Sequence, residues 1–535
     1  MTESERPADD VAIRLPGWGW ALCVYVLLWF ALAPYHRHVT ISVETDFPGY
    51  ARLAGEPVTW DPFVPVGFPQ LLDGVSDVVD DTFRAGVALS FLGGAWLLIV
   101  AHALARRALP PRAAAYATTL LAVNWIFLQN GLLAGTDALW TAAILTSFHL
   151  LLLGRAQRSR DLHGAAGLVL GLSFLLRYAT LGVAPWMLLA TLIGPRDVPW
   201  RERMSRAGLF VFAATLGALP QMWIATRDAG NPLASGQAAN VWFGMFGNRD
   251  WPRNWTEIPA DVSLTRILAD HPGEFVMNLL GNAGSAVVQA FTSLLGLAPA
   301  GVVRKWEMGT VGLLLVAVAV GAAGAAGVVT RVREVIASAR RSDAFRVAAL
   351  CAAGYAATVC AAFWMTRFFL PVLVLAVIAA AVCAHRALWT ALAGRAALRT
   401  GLLLAAPVLL AAHSIDAWAT LLRTCQQPIE EVGTALAAAG IRAPDVIAST
   451  VVGHYEDVLP FQFEEVPLAV EDFEDLQLAL ARLDAAFFLH EERLGPGGSY
   501  HPELDRLFDE PDLCPFLDPI WMKRDFPRAV LFRAR

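Results

Sequence analysis

Apolar runs of roughly 17 to 25 residues recur along most of this chain, each long enough to cross about 30 Å of hydrocarbon as a helix. A run of that length leaves every backbone amide to be satisfied inside the segment, which restricts the chain to helices wherever it meets lipid. Of its 535 residues, 56% are hydrophobic and 16% charged, where an ordinary soluble domain is about a quarter charged. The mean hydropathy is +0.50. The expected fold is therefore an α-helical polytopic membrane protein. The runs lie at 17–34, 85–105, 112–128, 137–154, 164–178, 180–194, 206–226, 308–329, 346–364, 367–385 and 400–418, a bundle of about eleven transmembrane helices. No small-residue cleavage site follows the first run, so it reads as an anchor rather than a removable signal.

Two stretches decide the threading. The run 164–194 is long for one span and short for two. Arg155, Arg158 and Arg160 precede it, and Arg196, Arg201, Arg203 and Arg206 follow it. Positive loops stay cytoplasmic, so the run crosses twice. The stretch 274–300 reads as an amphipathic or re-entrant segment on the outer face, because counting it as a span would put Arg331, Arg333, Arg340 and Arg341 outside. This topology places the N-terminus in the cytoplasm. It places loop 35–84, loop 227–307 and the tail from 423 on the extracytoplasmic face.

Residues 1–422 then form the membrane domain and 423–535 a separate domain. Within the tail, 445–450, 484–489 and 529–532 read as short buried strands, with a helical pattern at 472–483 between them, which predicts a small α/β domain. The net charge of −6 is segregated by loop and points to no nucleic-acid partner. Cys425 and Cys514 both fall on the oxidising side, where a disulfide between them is permitted.

The residues able to carry chemistry gather on the predicted outer face. Loop 35–84 carries Glu44-Thr45-Asp46, then Tyr50, Trp60 and Asp61. Asp46, ahead of Pro48-Gly49, also suits a helix cap. Asp137 sits at the mouth of the fourth span, where a carboxylate serves either as a cap or as a general base. Arg177 and Arg367 lie at outer-leaflet depth, where an arginine either snorkels to headgroups or binds phosphate oxygens with its planar fork. The loop 235–260, with Trp242, Phe243, Trp251 and Trp255, serves equally as an interfacial belt or as a stacking surface for sugars. There is no HExxH or cysteine cluster, although carboxylates and waters can supply oxygen ligands to a divalent ion. No Walker A loop, Rossmann fingerprint or serine elbow occurs, so cytosolic nucleotide chemistry is unsupported.

Four stretches bear a resemblance: VETDFPGYARLAG with DPFVPVGFPQLL, ALARRALPPRAAAYATTLLAVNWIFLQNGLLAGTDALWTAAIL, GLVLGLSFLLRYATLGVAPWMLLATLI and TRFFLPVLVLAVIAA. In order and sidedness the chain resembles the GT-C class of integral-membrane glycosyltransferases, in the branch of protein O-mannosyltransferases and aminoarabinose lipid A transferases. The resemblance implies a bacterial inner-membrane enzyme with a polyprenyl-phosphate-linked sugar donor, an outward-facing site and inverting transfer to a protein, lipid or glycan acceptor. No resident cofactor is implied. It further implies Asp46 as general base, with Glu44 and Asp137 beside it, and Arg177, Arg367, Tyr50 and Tyr178 as substrate-binding residues. The family's first motif often has two adjacent acids, whereas Thr45 separates them here. Both Glu44 and Asp46 therefore stand as candidates, and the spacing to Tyr50 and Ala51 favours Asp46. The competing readings are a transporter or lipid flippase, against which no internal repeat is found, and a non-catalytic envelope assembly protein.

Overall fold

The structure, a computed structural model, describes residues 17–32, 47–193, 198–246, 258–259, 261–294, 296, 342–362, 365–391, 396–425, 428–442, 445–450, 455, 459, 461–466, 470, 472–492, 494–495, 498–499, 503–524 and 528–535. The described helices of the first part are α1 (Gly17–Leu32), α2 (Phe47–Leu53), α3 (Gly67–Val79), α4 (Thr82–Ala105), α5 (Pro111–Ala122), α6 (Trp125–Leu132), α7 (Asp137–Gln157), α8 (Arg160–Phe174) and α9 (Thr180–Leu192). They continue with α10 (Trp200–Ala229), α11 (Gln237–Phe246), α12 (Leu264–Asp270), α13 (Pro272–Leu294), α14 (Asp343–Ala362), α15 (Leu370–Ala391) and α16 (Ala396–Cys425). Together they form the bundle of an integral membrane protein.

Among the described residues, four helices are long and apolar enough to cross a bilayer by length and composition: α4, α7, α10 and α14. Of the other expected spans, 17–34, 367–385 and 400–418 correspond to α1, α15 and α16, and others differ for local reasons. The run 112–128 is broken into α5 and α6, because the Asn124 side chain caps α6 by accepting from Ile126 N at 3.0 Å and its amide donates to the Ser293 carbonyl at 2.8 Å. The run 164–194 does divide, into α8 and α9, with Arg177 in the non-helical gap between them. Of the stretch 274–300, residues up to Leu294 belong to one long helix, α13, which starts beside the end of α14 and reaches Asn124 with its last turn, while 295 and 297–300 lie outside the described residues. The expected span at 308–329 lies outside the described residues.

Close packing in the bundle depends on small residues, since lipid tails provide no hydrophobic drive between helices. Helices α8 and α10 cross at Gly167, Gly171 and Gly217. A Cβ on Gly171 would come within 2.0 Å of the Ala214 carbonyl oxygen, and one on Gly167 within 2.1 Å of the Phe210 oxygen. At the end of the bundle opposite Asp137, Arg155 forms a two-pronged bond to Asp343 at 2.8 and 2.7 Å and also donates to the Ala190 carbonyl, joining α7, α9 and α14. That end also carries Arg106, Arg107, Arg158, Arg160, Arg201, Arg203 and Arg206.

The tail is an α/β unit. Helices α17 (Ile429–Ala438) and α18 (Phe473–Leu483) accompany strands β1 (Val446–Ser449), β2 (Gln462–Glu465), β3 (Phe487–Glu491), β4 (Leu494–Gly495), β5 (Gly498–Ser499), β6 (Leu517–Lys523) and β7 (Ala529–Ala534). The main sheet has the order β2-β1-β3-β7-β6; β1 is parallel to β2 and β3, while β7 is antiparallel to β3 and β6. Alternate residues feed two cores. Ala448, Phe488 and Phe532 pack toward α18, and Ile447, Leu489 and Leu531 toward α17. The strands expected at 445–450, 484–489 and 529–532 correspond to β1, β3 and β7, and the helix at 472–483 to α18. The expected Cys425–Cys514 disulfide is not formed. Cys514 is a free thiol, 1% exposed, packed in the core beneath α18.

Candidate active site

Asp137 opens α7 and is 3% exposed. It does not cap its helix; its carboxylate pairs with the Arg177 guanidinium instead, and the Arg177 side chain is only 13% exposed. The same Arg177 nitrogen donates to the Thr136 hydroxyl at 3.2 Å. Two charges out of water at this depth are tolerable because each neutralises the other and further hydrogen bonds are made. The Tyr50 hydroxyl lies 3.4 Å from the Thr136 hydroxyl, on α2, which packs edge-on through Tyr50 against Phe68 at 5.0 Å. The α2 helix is anchored by the fully buried Phe47, against which Gly86 of α4 lies so closely that a Cβ there would come within 2.5 Å of the ring.

Arg367 arrives from another element. It lies in the single 3-10 turn Thr366–Phe369 ahead of α15, and it is 9% exposed. The Arg177 and Arg367 guanidiniums sit 5.6 and 5.3 Å from the centre of the same Phe368 ring, close enough for each to gain from its π face. The chain entering that turn is held by α13: Asn278 donates to the Ala361 and Ala362 carbonyls at 3.1 and 2.8 Å, and Asn282 to Cys360 at 3.0 Å. These amides satisfy carbonyls that a helix end leaves without intrahelical partners. One end of the bundle thus presents two largely buried arginines, whose guanidiniums suit phosphate oxygens, with an ion-paired carboxylate and a tyrosine beside them.

The structure brings Asp137, Arg177, Arg367 and Tyr50 together. Tyr178 is 2% exposed and faces away from that cluster's acid, with its hydroxyl donating to the Asp61 carbonyl at 2.8 Å. Glu44 and Asp46 lie outside the described residues, as do Trp251 and Trp255. Trp242 forms an aromatic group with Phe246 and His271, with rings 4.5 to 5.3 Å apart. An open groove of about 480 Å³ runs beside it between α11 and α13, lined by Gly244, Met245, Gly273, Glu274, Met277 and Asn278. Sequence reasoning missed Phe368, Gln221 and the Asn278/Asn282 pair, and read Thr136 only as a helix cap, a bond its side chain does not make. The two asparagines, four apart on one helix face, and an amide within an apolar span were the signals available.

A family model described as dolichyl-phosphate-mannose-protein mannosyltransferase matches residues 64–223, the segment that carries Asp137 and Arg177. No curated protein is matched by sequence. Among solved structures, ArnT from Cupriavidus metallidurans bound to undecaprenyl phosphate is similar over 96% of this chain and 97% of its own, with a TM-score of 0.51 and 15% identity. The apo state of that protein gives a TM-score of 0.52 at 14% identity, covering 96% of each chain. The oligosaccharyltransferase of Archaeoglobus fulgidus, in complex with Zn and sulfate, gives 0.52 at 15% identity, covering 88% of this chain and 68% of its own. By its fold and the matched segment, the chain resembles the GT-C class of integral-membrane glycosyltransferases, in the branch of the O-mannosyltransferases and ArnT.

Proposed function

We propose that this protein is a glycosyltransferase of the bacterial inner membrane that moves a sugar from a polyprenyl-phosphate donor to an acceptor on the extracytoplasmic face, with inversion. The observation that carries this reading is the convergence of buried Arg177 and Arg367 on Phe368 beside the Asp137 carboxylate. Its support from the comparisons is the GT-C fold and a similar protein whose structure holds undecaprenyl phosphate. In this reading the acceptor hydroxyl or amine attacks the anomeric carbon as the bond from that carbon to the donor phosphate oxygen breaks. The bonding pair leaves with the lipid phosphate. Arg177 and Arg367 stabilise the charge that develops there, the kind of preorganised electrostatics on which such catalysis depends. Asp137 fixes the Arg177 fork, and Tyr50 closes the site through Thr136.

Asp46 takes the acceptor's proton as general base. Its support is covalent: it is bonded to Phe47, whose buried ring anchors the helix that carries Tyr50 to Thr136. Glu44 is the second carboxylate of the same motif. The direct test uses the purified full chain with a polyprenyl-phosphate sugar donor identified by lipid mass spectrometry of a deletion strain. Asp46→Asn is expected to lower transfer at least about a hundredfold, the usual scale for a lost general base, with an unchanged melting temperature. Full activity in that variant with a dead Glu44→Gln would move the base to Glu44. No transfer by the wild type, with native glycans unchanged in the deletion strain, would refute the enzyme reading.

A further inference from the structure

We propose that Gln221 is a positioning residue that holds open the helix break carrying Arg177. This rests on the reading of Arg177 as a phosphate-binding cation. Gln221 lies well inside α10 and is fully buried, while its neighbours Leu219 and Trp223 are 51% and 69% exposed and face outward. An amide at that depth is costly unless both of its ends are paired. Both are. Its oxygen accepts from Val66 N at 2.9 Å, and its nitrogen donates to the Tyr178 hydroxyl at 2.9 Å. The orientation of the amide follows, because Val66 N–H can only donate.

Having accepted that bond, the Tyr178 hydroxyl donates its own to the Asp61 carbonyl at 2.8 Å. A third tie is made by Gly67 N, which donates to the Leu175 carbonyl at 2.8 Å. A Cβ on Gly67 would lie 2.6 Å from both the Cβ and the carbonyl oxygen of Leu175, so only glycine permits the approach. The segment 61–67 is thereby strapped to 175–178 at three points, one of them bridged by Gln221 and two of them meeting at the Tyr178 hydroxyl.

Arg177 sits inside the strapped segment, between the end of α8 and the start of α9. Between Gly164 and Pro185 the sequence is largely apolar apart from Arg177 and holds no proline that would itself force a break at 175–179. Closing the break would turn each following residue by about 100° per position, and Arg177 would swing away from Asp137. Gln221 touches neither of those residues. It acts through the Tyr178 hydroxyl, its handle, beside the Gly67 bond that takes the Leu175 carbonyl out of the helical ladder.

The test uses the full chain in phosphatidylcholine nanodiscs and two readouts. The first is hydrogen exchange of the amides 175–181. These are expected to exchange about tenfold faster or slower in Gln221→Met than in the wild type, the scale of one lost hydrogen bond, and to shift in the same sense in Tyr178→Phe. The Tyr178→Phe variant removes a single oxygen and carries the test if the glutamine variant does not fold. Unchanged exchange in both variants overturns the lock. The second readout is binding of undecaprenyl phosphate by native mass spectrometry, in a double-mutant cycle with Arg177→Met. Gln221→Met is expected to weaken binding about tenfold in the wild-type background and to have no further effect once Arg177 is gone. Additive losses would overturn positioning through Arg177, because a purely structural loss acts in both backgrounds. If the wild type binds no undecaprenyl phosphate, the donor reading fails, while the exchange data still decide the lock.

Discussion

Arg177 makes its closest bond to a carboxylate that is itself almost dry, so the two residues stand or fall as a pair. Removing one partner of a buried pair leaves the other charge uncompensated, at a cost of about 3–5 kcal/mol, whereas replacing both by apolar groups of similar size is often near neutral. Asp137→Ala is therefore expected to lower the melting temperature of the detergent-solubilised protein more than the double change Asp137→Leu with Arg177→Met. Transfer activity should be lost in both. A double variant less stable than the single one would mean that the pair contributes net stability and is not merely tolerated for function. The sequence shows the two residues and their depth but not their pairing, because they are forty positions apart and meet only once α7 and the α8–α9 break are placed. The same holds for Phe368, which reads as one more apolar residue before a span until two guanidiniums are found on its ring.

At the scale of elements, hydropathy locates helices and says little about where they break. The run 112–128 is apolar enough to pass for one span, yet it divides because the Asn124 amide serves both its own chain and a helix 169 positions away. The break at Arg177 is likewise held from outside, by loop 61–67 and α10. Helix crossings are more legible, since glycines spaced along α8 mark the face it presents. Gly171 admits the Ala214 carbonyl oxygen to within 2.0 Å of where a Cβ would stand, whereas Gly208 on α10 has no atom within 4 Å of that position. Gly171→Ala is expected to lower the melting temperature markedly by forcing α8 and α10 apart. Gly208→Ala should be neutral or slightly stabilising, since alanine outranks glycine in a helix by roughly 0.5–1 kcal/mol. Thermal unfolding of the two variants side by side checks this, and equal losses would contradict the crossing. In the tail, β1, β3 and β7 are legible as apolar runs. The strands of the main sheet that were missed are β2, whose residues are QFEE, and β6, where Pro519 precedes an irregularity in the pairing; the two-residue strands β4 and β5 were missed as well.

Across the whole molecule, titratable groups are buried in the bundle and in the tail alike. In the bundle, Arg155 is paired with Asp343 and keeps its charge at any accessible pH, and His102, His163 and His413 are buried as well. The tail also buries an imidazole. His490 on β3 is 1% exposed and stacks on Phe508 at 4.5 Å. The Thr450 hydroxyl accepts from Glu491 N and so has its proton to give to His490 Nδ1, 3.1 Å away, while His490 Nε2–H donates to Asp505 at 3.1 Å. Burial holds the His490 pKa below its usual value, with Asp505 and Glu492 opposing that shift and Arg528, stacked over Phe508, reinforcing it. A histidine whose pKa is lowered by folding binds fewer protons in the native state than in the unfolded chain. The stability it allows is complete above the unfolded pKa of about 6.5 and is lost as the pH falls below it. The amides of β1, β3 and β7 should therefore exchange faster at pH 5.5 than at pH 7.5, once corrected for intrinsic rates. His490→Gln should weaken the sheet at both pH values and flatten its acid dependence. An acid response that survives in His490→Gln would assign the titration to another group, with Asp505 and Glu492 next to be examined, because both face the same imidazole.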